Sequence, residues 1–295
     1  MAERSTPATS SYAAEAAGGR IERLGIVSYA NVAPLHYGLE PWGSTSAGVD
    51  RGGVEFVRGV PSELNDCLLA GEIDLTLISS IEFLRHRRRL RALPDFSIAT
   101  LGPVYSVMLF HWRPWDELAG ARVAVSNESA TSVELLRVLL AADGLEAELV
   151  PVPPELGAML TGHDAALLIG DAALSEGVAG RTIGGRQPLV TDLGEAWYGL
   201  TRLPFTFAVW ASLSNRPPSP GLVARLREAR ERGLGELASV ARAEGERRGI
   251  AQPVMQRYLN NFRYYLETPD RDGLLEFGRR SLGELAAGEL EYWQR

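Results

Sequence analysis

Hydroxyl and amide side chains follow four short apolar runs of this chain, each at the point where a buried strand would end. These polar groups are Ser28–Asn31, Ser79–Ser80, Ser126–Ser132 and Gly170–Asp171. Hydroxyls, amides and free backbone N–H groups bind a carboxylate well, but they are poor bases at neutral pH. The pattern therefore predicts a cleft for a small anion. By itself it does not decide whether that cleft is catalytic.

The stretch Gly25–Leu35 carries the most informative of these groups. Leu24–Val27 is typical of a buried strand, Ser28–Asn31 of a polar turn, and Pro34 stands where a helix begins. Proline suits the first turn of a helix because its missing N–H would be unpaired there. A strand that leads through a turn into a helix places amides, hydroxyls and backbone N–H groups together, which favours anion binding.

Other chemistries lack their motifs in this sequence. It contains no nucleophile elbow, no phosphate-binding loop and no dinucleotide fingerprint after a strand. The single cysteine, Cys67, excludes an internal disulfide and a cysteine-based zinc site. The four histidines show no metal-binding spacing, and they are His36, His86, His111 and His163. We expect no metal and no cofactor.

Length and composition favour an ordinary two-domain globular protein. The chain has 295 residues, of which 45% are hydrophobic and 23% charged. Its net charge of −7 argues against a general nucleic-acid binder. Residues 1–20 are rich in Ala, Ser, Thr and Gly, and we expect a disordered tail rather than a secretory signal. We also expect a cytoplasmic protein with no membrane partner, as either a monomer or a homodimer.

A basic run, R-H-R-R-R-L-R, occupies Arg85–Arg91. Two interpretations fit it: a patch that binds phosphate or nucleic acid, and the solvated end of a helix, where cations suit the helix dipole. We favour the second because the chain as a whole is acidic.

Apolar runs of strand length alternate with helical segments through most of the chain, which predicts parallel sheets covered on both faces. The expected strands are Leu24–Val27, Val54–Val57, Ile73–Ile78, Arg122–Val125, Glu148–Val152, Ala165–Ile169, Leu189–Asp192 and Phe205–Leu213. Two extended crossings, Ile98–Trp112 and Gly194–Pro204, would join two α/β lobes. The C-terminal part is helical in pattern, over Leu222–Ala241, Val254–Leu266 and Gly273–Leu285.

The crossings divide the chain into an outer and an inserted part. Lobe 1 would comprise residues 21–105 and 206–295, and lobe 2 residues 106–205. Open α/β sheets bind ligands beyond the carboxyl ends of their strands. The four polar strand ends are therefore expected to face one interlobe cleft.

Five motifs in this order resemble the chorismate dehydratase family of the futalosine route to menaquinone, from about Arg23 through Leu213. They are V-S-Y-A-N-V-A-P-L, D-L-T-L-I-S-S-I-E-F, S-A-T-S-V-E-L-L-R-V-L-L, L-L-I-G-D-A-A-L and L-P-F-T-F-A-V-W. The resemblance implies an α/β, two-lobe fold like the type II periplasmic binding proteins, with an interlobe cleft. A related lyase later in that route has the opening motif S-P-C-P-N-D, which this chain lacks.

The resemblance also implies a carbon–oxygen lyase that removes water from chorismate to give 3-[(1-carboxyvinyl)oxy]benzoate. Asn31, in the family's S-Y-x-N motif, would be the catalytic residue and would orient the substrate. Ser28 and Tyr29 would shape that wall, although Tyr29 fits a core position equally well. Ser79 and Ser80 would bind a carboxylate, and Ser80 is preferred because it begins the helix.

The remaining substrate contacts implied by the resemblance come from the crossings and lobe 2. Ser106 lies on the first crossing, and Thr131 and Ser132 would bind the second carboxylate. From the residues alone, helix capping explains the hydroxyls of Ser126–Ser132 equally well. Asp171 would contact the leaving hydroxyl, although a helix cap is the favoured interpretation. Two further candidates for the cleft lining are Trp197 and Thr201.

No residue in the matched turns is an evident base, because an Asn side chain does not accept a proton usefully. Glu82 and Glu128 are expected to point outward or to cap helices. We therefore expect the substrate's own enolpyruvyl carboxylate to remove the ring proton. Two alternatives stay open at this point: a carboxylate-binding protein without catalysis, and the later lyase of the same route.

Overall fold

The structure is a computed structural model that describes residues 21–39, 53–283, 285 and 287–294. The expected tail, residues 1–20, lies outside the described residues. Strands and helices alternate along the described chain and form two separate sheets.

The first sheet combines both ends of the described chain. Its strands are β1 (Glu22–Val27), β2 (Val54–Gly59), β3 (Leu75–Ser79), β4 (Leu90–Ala92), β5 (Ile98–Thr100), β11 (Phe205–Leu213) and β12 (Phe262–Arg263). They are ordered β12-β5-β11-β3-β1-β2, with β4 paired to β11. β1 pairs in parallel with β2 and β3, whereas β11 runs antiparallel to β3.

The second sheet is formed by the middle of the chain. Its strands are β6 (Val107–His111), β7 (Arg122–Ser126), β8 (Glu148–Val152), β9 (Ala165–Ile169) and β10 (Leu189–Asp192). They are ordered β10-β6-β9-β7-β8. β7 pairs in parallel with β8 and β9, whereas β6 is antiparallel to β9 and β10. The lobe boundaries predicted from sequence stay a prediction.

The prediction of purely parallel sheets is wrong. β6 and β11 follow the two connections between the sheets and run against their neighbours. The physical reason is the direction in which the strands run. β1, β3, β7 and β9 run toward the cleft and end there. A chain that crosses the cleft, in contrast, enters the next sheet at its cleft edge. A strand entered from the cleft must run opposite to strands that end there.

The helices cover the two sheets. They are α1 (Ala33–His36), α2 (Pro61–Ala70), α3 (Ser80–Arg85), α4 (Ala130–Ala142), α5 (Leu156–Gly162), α6 (Gly170–Ala179), α7 (Leu193–Thr201), α8 (Pro220–Gly235), α9 (Leu237–Arg248), α10 (Gln252–Asn260) and α11 (Thr268–Leu282). Short 3-10 turns occur at Ala30–Val32, Trp115–Glu117 and Ala287–Glu289. None of the helices among the described residues has the length and apolar composition to cross a bilayer.

Three expectations for helices and crossings need correction. The segment expected as one helix from Leu222 is two helices, because the chain bends at Glu236, whose φ and ψ are −109° and 27°. Val254–Leu266 is not one helix: α10 ends at Asn260, and β12 then extends the first sheet. The second crossing is largely helical, since α7 occupies most of it.

The basic run lies on the end of α3, a turn and β4, rather than on one helix. Three of its five arginines form ion pairs within the chain: Arg85 with Glu82 and Glu134, Arg87 with Glu289, and Arg91 with Glu291. These pairs neutralise much of the run's charge. The interpretation as a phosphate or nucleic-acid patch is therefore not supported.

Candidate active site

A cavity of about 80 Å³ lies between the two sheets. This volume is smaller than that of a typical small-molecule site. Its walls come from the ends of β1, β3, β7 and β9 and from the segments that cross between the lobes. The polar residues of the lining are Tyr29, Asn31, Ser79, Ser106, Ser129, Thr131 and Ser132. The structure thus brings all four strand ends to one cavity, although the fourth contributes Gly170 and not Asp171.

Asn31 stands in the 3-10 turn that follows β1 and lines the cavity. Its amide oxygen Oδ1 is buried and accepts no hydrogen bond from the described residues. A buried polar atom without a partner costs about 1–3 kcal/mol, so its presence beside a cavity marks a place for a ligand donor. Asn31 and Thr131, on opposite walls, share this cavity.

The two serines at the end of β3 have different surroundings. Ser79 lines the cavity, and the side chain of Asn65 holds it through both its hydroxyl and its backbone N–H, at 3.1 and 3.2 Å. Ser80 is fully buried, and its hydroxyl donates to the carbonyl of Thr206 at 2.6 Å. The preference for Ser80 is therefore wrong. Successive residues point in different directions, and here Ser79 faces the cavity.

The wall from the second lobe is the start of α4. Ser129 caps this helix by accepting from the N–H of Ser132 at 3.1 Å, and the two hydroxyls are 3.0 Å apart. Thr131 reaches across the cleft, where its hydroxyl accepts from the N–H of Ile81 at 3.1 Å. Thr131 therefore both lines the cavity and ties the lobes together at the start of α3.

Tyr29 and Ser106 close the cavity along its sides. The phenol of Tyr29 donates to Glu128 at 2.9 Å, and burial, reinforced by the charge of Glu128, raises the pKa of Tyr29 well above its usual value. The ring of Tyr29 also packs on Gly170, which has φ +59°. Ser106 accepts from the hydroxyl of Tyr258 at 2.9 Å.

Besides Ser80, four sequence-predicted site residues lie outside the cavity lining. Ser28 is exposed at its side chain, and its carbonyl accepts from Arg248 at 2.7 Å. Trp197 is fully buried and packs edge-on against Phe205 and Phe277, because its apolar ring belongs to the core. Thr201 satisfies its hydroxyl within the end of α7, through the carbonyl of Trp197.

Asp171 is neither a cavity residue nor a cap of its own helix. Its Oδ1 accepts from the N–H of Ala30, on the other lobe, at 3.0 Å. Its Oδ2 lies 2.6 Å from Nε of Arg248. The two interpretations of Asp171 from the sequence, as a contact of the leaving hydroxyl and as a helix cap, are therefore wrong. Its partners lie about 141 and 77 residues away in the chain, beyond the reach of a local pattern.

Sequence reasoning missed several apolar lining residues, notably Phe207, Val104 and Pro61. Phe207 belongs to the L-P-F-T-F-A-V-W motif and stands between the buried Phe205 and Val209 in β11. Period-2 alternation would place all three side chains on one face, and the register of β11 against β5 shifts between Thr206 and Ala208, so the sequence carried no local signal for Phe207.

The cavity lining described by the structure contains no Asp, Glu, Lys, Arg or His side chain. Its polar groups are hydroxyls and one amide. Glu82 is engaged by Arg85, and Glu128 by Tyr29, so both lie beside the lining rather than in it. Among the described residues, no three His, Cys, Asp or Glu side chains are grouped to hold a metal ion. The site can orient an anion through neutral donors.

The comparison with protein families decides the affiliation. A family model described as menaquinone biosynthesis matches residues 22–281. The chain belongs to this menaquinone-biosynthesis family. A protein of Thermus thermophilus named chorismate dehydratase is 44% identical over 264 residues, which covers 86% of this chain and 93% of the relative. The family resemblance expected from the five motifs is thus confirmed.

Solved structures similar to this member of the menaquinone-biosynthesis family support the expected fold. A protein of Archaeoglobus fulgidus has a TM-score of 0.67 at 19% identity, covering 88% of this chain and 95% of its own. The periplasmic aliphatic sulphonate binding protein of Escherichia coli has a TM-score of 0.63 at 16% identity, covering 92% of each chain. The α/β, two-lobe fold of the periplasmic-binding-protein type is confirmed.

Proposed function

We propose that the protein is a chorismate dehydratase, a hydro-lyase that converts chorismate to 3-[(1-carboxyvinyl)oxy]benzoate for menaquinone synthesis. Family membership and the similarity to the Thermus thermophilus protein support this activity. The observation that carries it at the site is the buried Oδ1 of Asn31, which lacks a partner and lies between two walls of hydroxyl groups.

The two walls suit the two carboxylates of chorismate. Ser79 on lobe 1 and the Ser129–Ser132 turn on lobe 2 line opposite sides of the cavity. The second turn lies at the N-terminus of α4, where the helix dipole favours a negative charge. We assign one carboxylate to each wall, with Ser106 and Tyr29 at the sides. Lobe 1, residues 21–105 and 206–295, and lobe 2, residues 106–205, would then hold the substrate between them.

The reaction needs one proton removed and one hydroxyl released. The ring C–H bond breaks, its electron pair becomes a ring double bond, and the C–O bond breaks. The departing hydroxyl takes up the abstracted proton and leaves as water. The neutral lining supports a base supplied by the substrate, so we assign proton removal to the enolpyruvyl carboxylate. Asn31 offers one acceptor and two donors with which to fix that geometry. Such orientation alone lowers barriers substantially.

The test is to mix the protein with chorismate and follow the ultraviolet absorption of the aromatic product, with mass spectrometry to identify the loss of one water. We expect turnover by the wild-type protein and none by a heat-denatured sample. Ligand binding without turnover would instead support a carboxylate-binding protein, a function favoured by the sulphonate-binding neighbours. Absence of both would contradict the proposed function.

A further inference from the structure

We propose that Asp171 is a positioning residue, which fixes the Asn31 turn when the two lobes close, and that Arg248 and Glu244 hold it in place. This inference rests on the proposed function for its kinetic consequence. Its structural part stands separately, on a continuous set of contacts from α9 through α6 to the turn that carries Asn31.

The first contact lies at the start of the Asn31 turn. The 3-10 turn Ala30–Val32 has no side-chain cap of its own. The first N–H groups of any helical turn lack partners within it. Asp171, on the opposite lobe, supplies the acceptor for Ala30, at 3.0 Å. The residue immediately before Asn31 is therefore held by the other half of the molecule.

The second contact fixes Asp171 itself. Nε of Arg248 lies 2.6 Å from Asp171, while Nη1 pairs with Glu244 and Nη2 donates to the carbonyl of Ser28 at 2.7 Å. The Arg248 side chain is only 11% exposed, and that of Glu244 2%. The contacts to Glu244 and Ser28 are hydrogen bonds and fix the plane of the guanidinium, whereas the contact to Asp171 is an ion pair set by distance.

Together, the contacts hold the Asn31 turn at two points. Arg248 binds the backbone of Ser28, and Asp171 binds the backbone of Ala30. Asp171 belongs to the second lobe, because it follows β9, whereas Ser28 and Ala30 follow β1 in the first sheet. If the lobes separate, Asp171 moves away from the first lobe and the N–H of Ala30 loses its acceptor. The orientation of Asn31 is thus coupled to closure.

The kinetic test compares Asp171→Ala with Asp171→Asn. Because the contacts act on a residue that orients the reacting atoms, we expect Asp171→Ala to lower kcat by about 10- to 100-fold, with KM changed by less than about threefold. Asp171→Asn keeps an oxygen for Ala30 and should recover part of kcat. An unchanged kcat in Asp171→Ala, or an effect on KM alone, would overturn the positioning role.

Glu134→Gln provides a matched control. Glu134 pairs with Arg85 across the same cleft at 3.4 Å, but it does not touch the Asn31 turn or line the cavity. Loss of this pair should leave kcat within about twofold of wild type, as expected for an exposed ion pair. A control that lost as much kcat as Asp171→Ala would show that any interlobe contact has this effect, and would contradict a specific role for Asp171.

A second measurement does not depend on turnover. Hydrogen exchange, read by mass spectrometry on a peptide spanning residues 28–32, reports how firmly the turn is held. We expect exchange there to accelerate about tenfold in Asp171→Ala and to stay unchanged in Glu134→Gln. If wild type does not convert chorismate but this pattern appears, the proposed function fails and the positioning network stands. Unchanged exchange in Asp171→Ala would refute the network.

Discussion

The cavity and the contacts that surround it use opposite chemistry. Its described lining consists of neutral hydroxyls, one amide and apolar side chains, and the Oδ1 of Asn31 lacks a partner there. Just outside, the Asp171–Arg248 ion pair and the Tyr29–Glu128 hydrogen bond link the lobes, and Glu244 pairs with Arg248 within α9. The ion pairs between the lobes thus lie outside the lining, whereas the lining itself presents neutral groups to a ligand.

This division has a physical reason. A buried charge is costly unless it is paired, so charges placed between the lobes favour the closed arrangement in which they meet. An unpaired carboxylate inside the cavity would repel an anionic substrate. Neutral donors bind a carboxylate without adding a second charge to be desolvated. The following experiments test this difference between the cavity lining and the contacts around it.

The largest expected effect comes from the lining. Asn31→Ala removes the amide that orients the substrate, and we expect kcat/KM to fall by about 100-fold or more, as for other lost positioning groups. Steady-state kinetics with chorismate would measure it. Asn31→Asp has nearly the same shape but puts a charge into the neutral cavity, so it should not restore activity. Near-wild-type turnover in Asn31→Ala would contradict the role given to Asn31.

The next largest effect concerns how closely the two walls of the cavity approach each other at Gly170. A Cβ at Gly170 would lie 3.0 Å from the ring of Tyr29, and the φ of +59° also disfavours any side chain. We expect Gly170→Ala to hinder closure and to raise KM about tenfold. Gly177→Ala, on the same helix, places its Cβ 3.5 Å from Met108 and should leave KM unchanged. Equal KM values for the two variants would show that close approach at Gly170 is unimportant.

A third test concerns His36 in α1, the helix that follows the Asn31 turn. Burial lowers the pKa of His36 to about 4, and the nearby charges of Arg58 and Arg247 add to the effect. An unfolded histidine takes up its proton near pH 6.5, so acid favours the unfolded chain. The free energy of unfolding should keep this contribution above about pH 6.5 and should be lower by about 2 kcal/mol at pH 4.5.

The measurement is the melting temperature of wild type and His36→Gln at pH 7 and pH 4.5. We expect the melting temperature of wild type to fall by about 5 °C more than that of the variant over this range. Carboxylates titrate in both proteins, and the difference between them isolates His36. Parallel losses in both proteins would mean that His36 is not buried in its neutral form.

The smallest expected effect tests whether the base that removes the ring proton is the substrate carboxylate or Glu128. Glu128 is a carboxylate beside the lining that accepts from the phenol of Tyr29 at 2.9 Å. Glu128→Gln retains an oxygen that can accept from Tyr29 but removes the base. If the substrate carboxylate takes the ring proton, kcat should stay within about threefold of wild type. A loss of about 100-fold, without a change in substrate affinity, would assign proton removal to Glu128.

Much of the fold was predictable from local pattern. The bounds expected for Ala165–Ile169, Leu189–Asp192 and Phe205–Leu213 are those observed for β9, β10 and β11. The polar groups at strand ends also predicted a shared cleft, because sheets of this class collect their strand ends at one edge. Strand direction was less predictable, since alternation of strands and helices does not show from which edge a connecting chain enters a sheet.

The sequence by itself determined the family, the α/β architecture and the neutral hydroxyl and amide groups of the site, because periodicity, strand-end polarity and motifs are local properties. Tertiary structure alone decided that Ser79 rather than Ser80 faces the cavity, that Trp197 lies in the core, and that Asp171 reaches Ala30 and Arg248. Neighbouring side chains diverge in direction, and contacts across the cleft join distant segments. Only packing of the two lobes fixes such contacts.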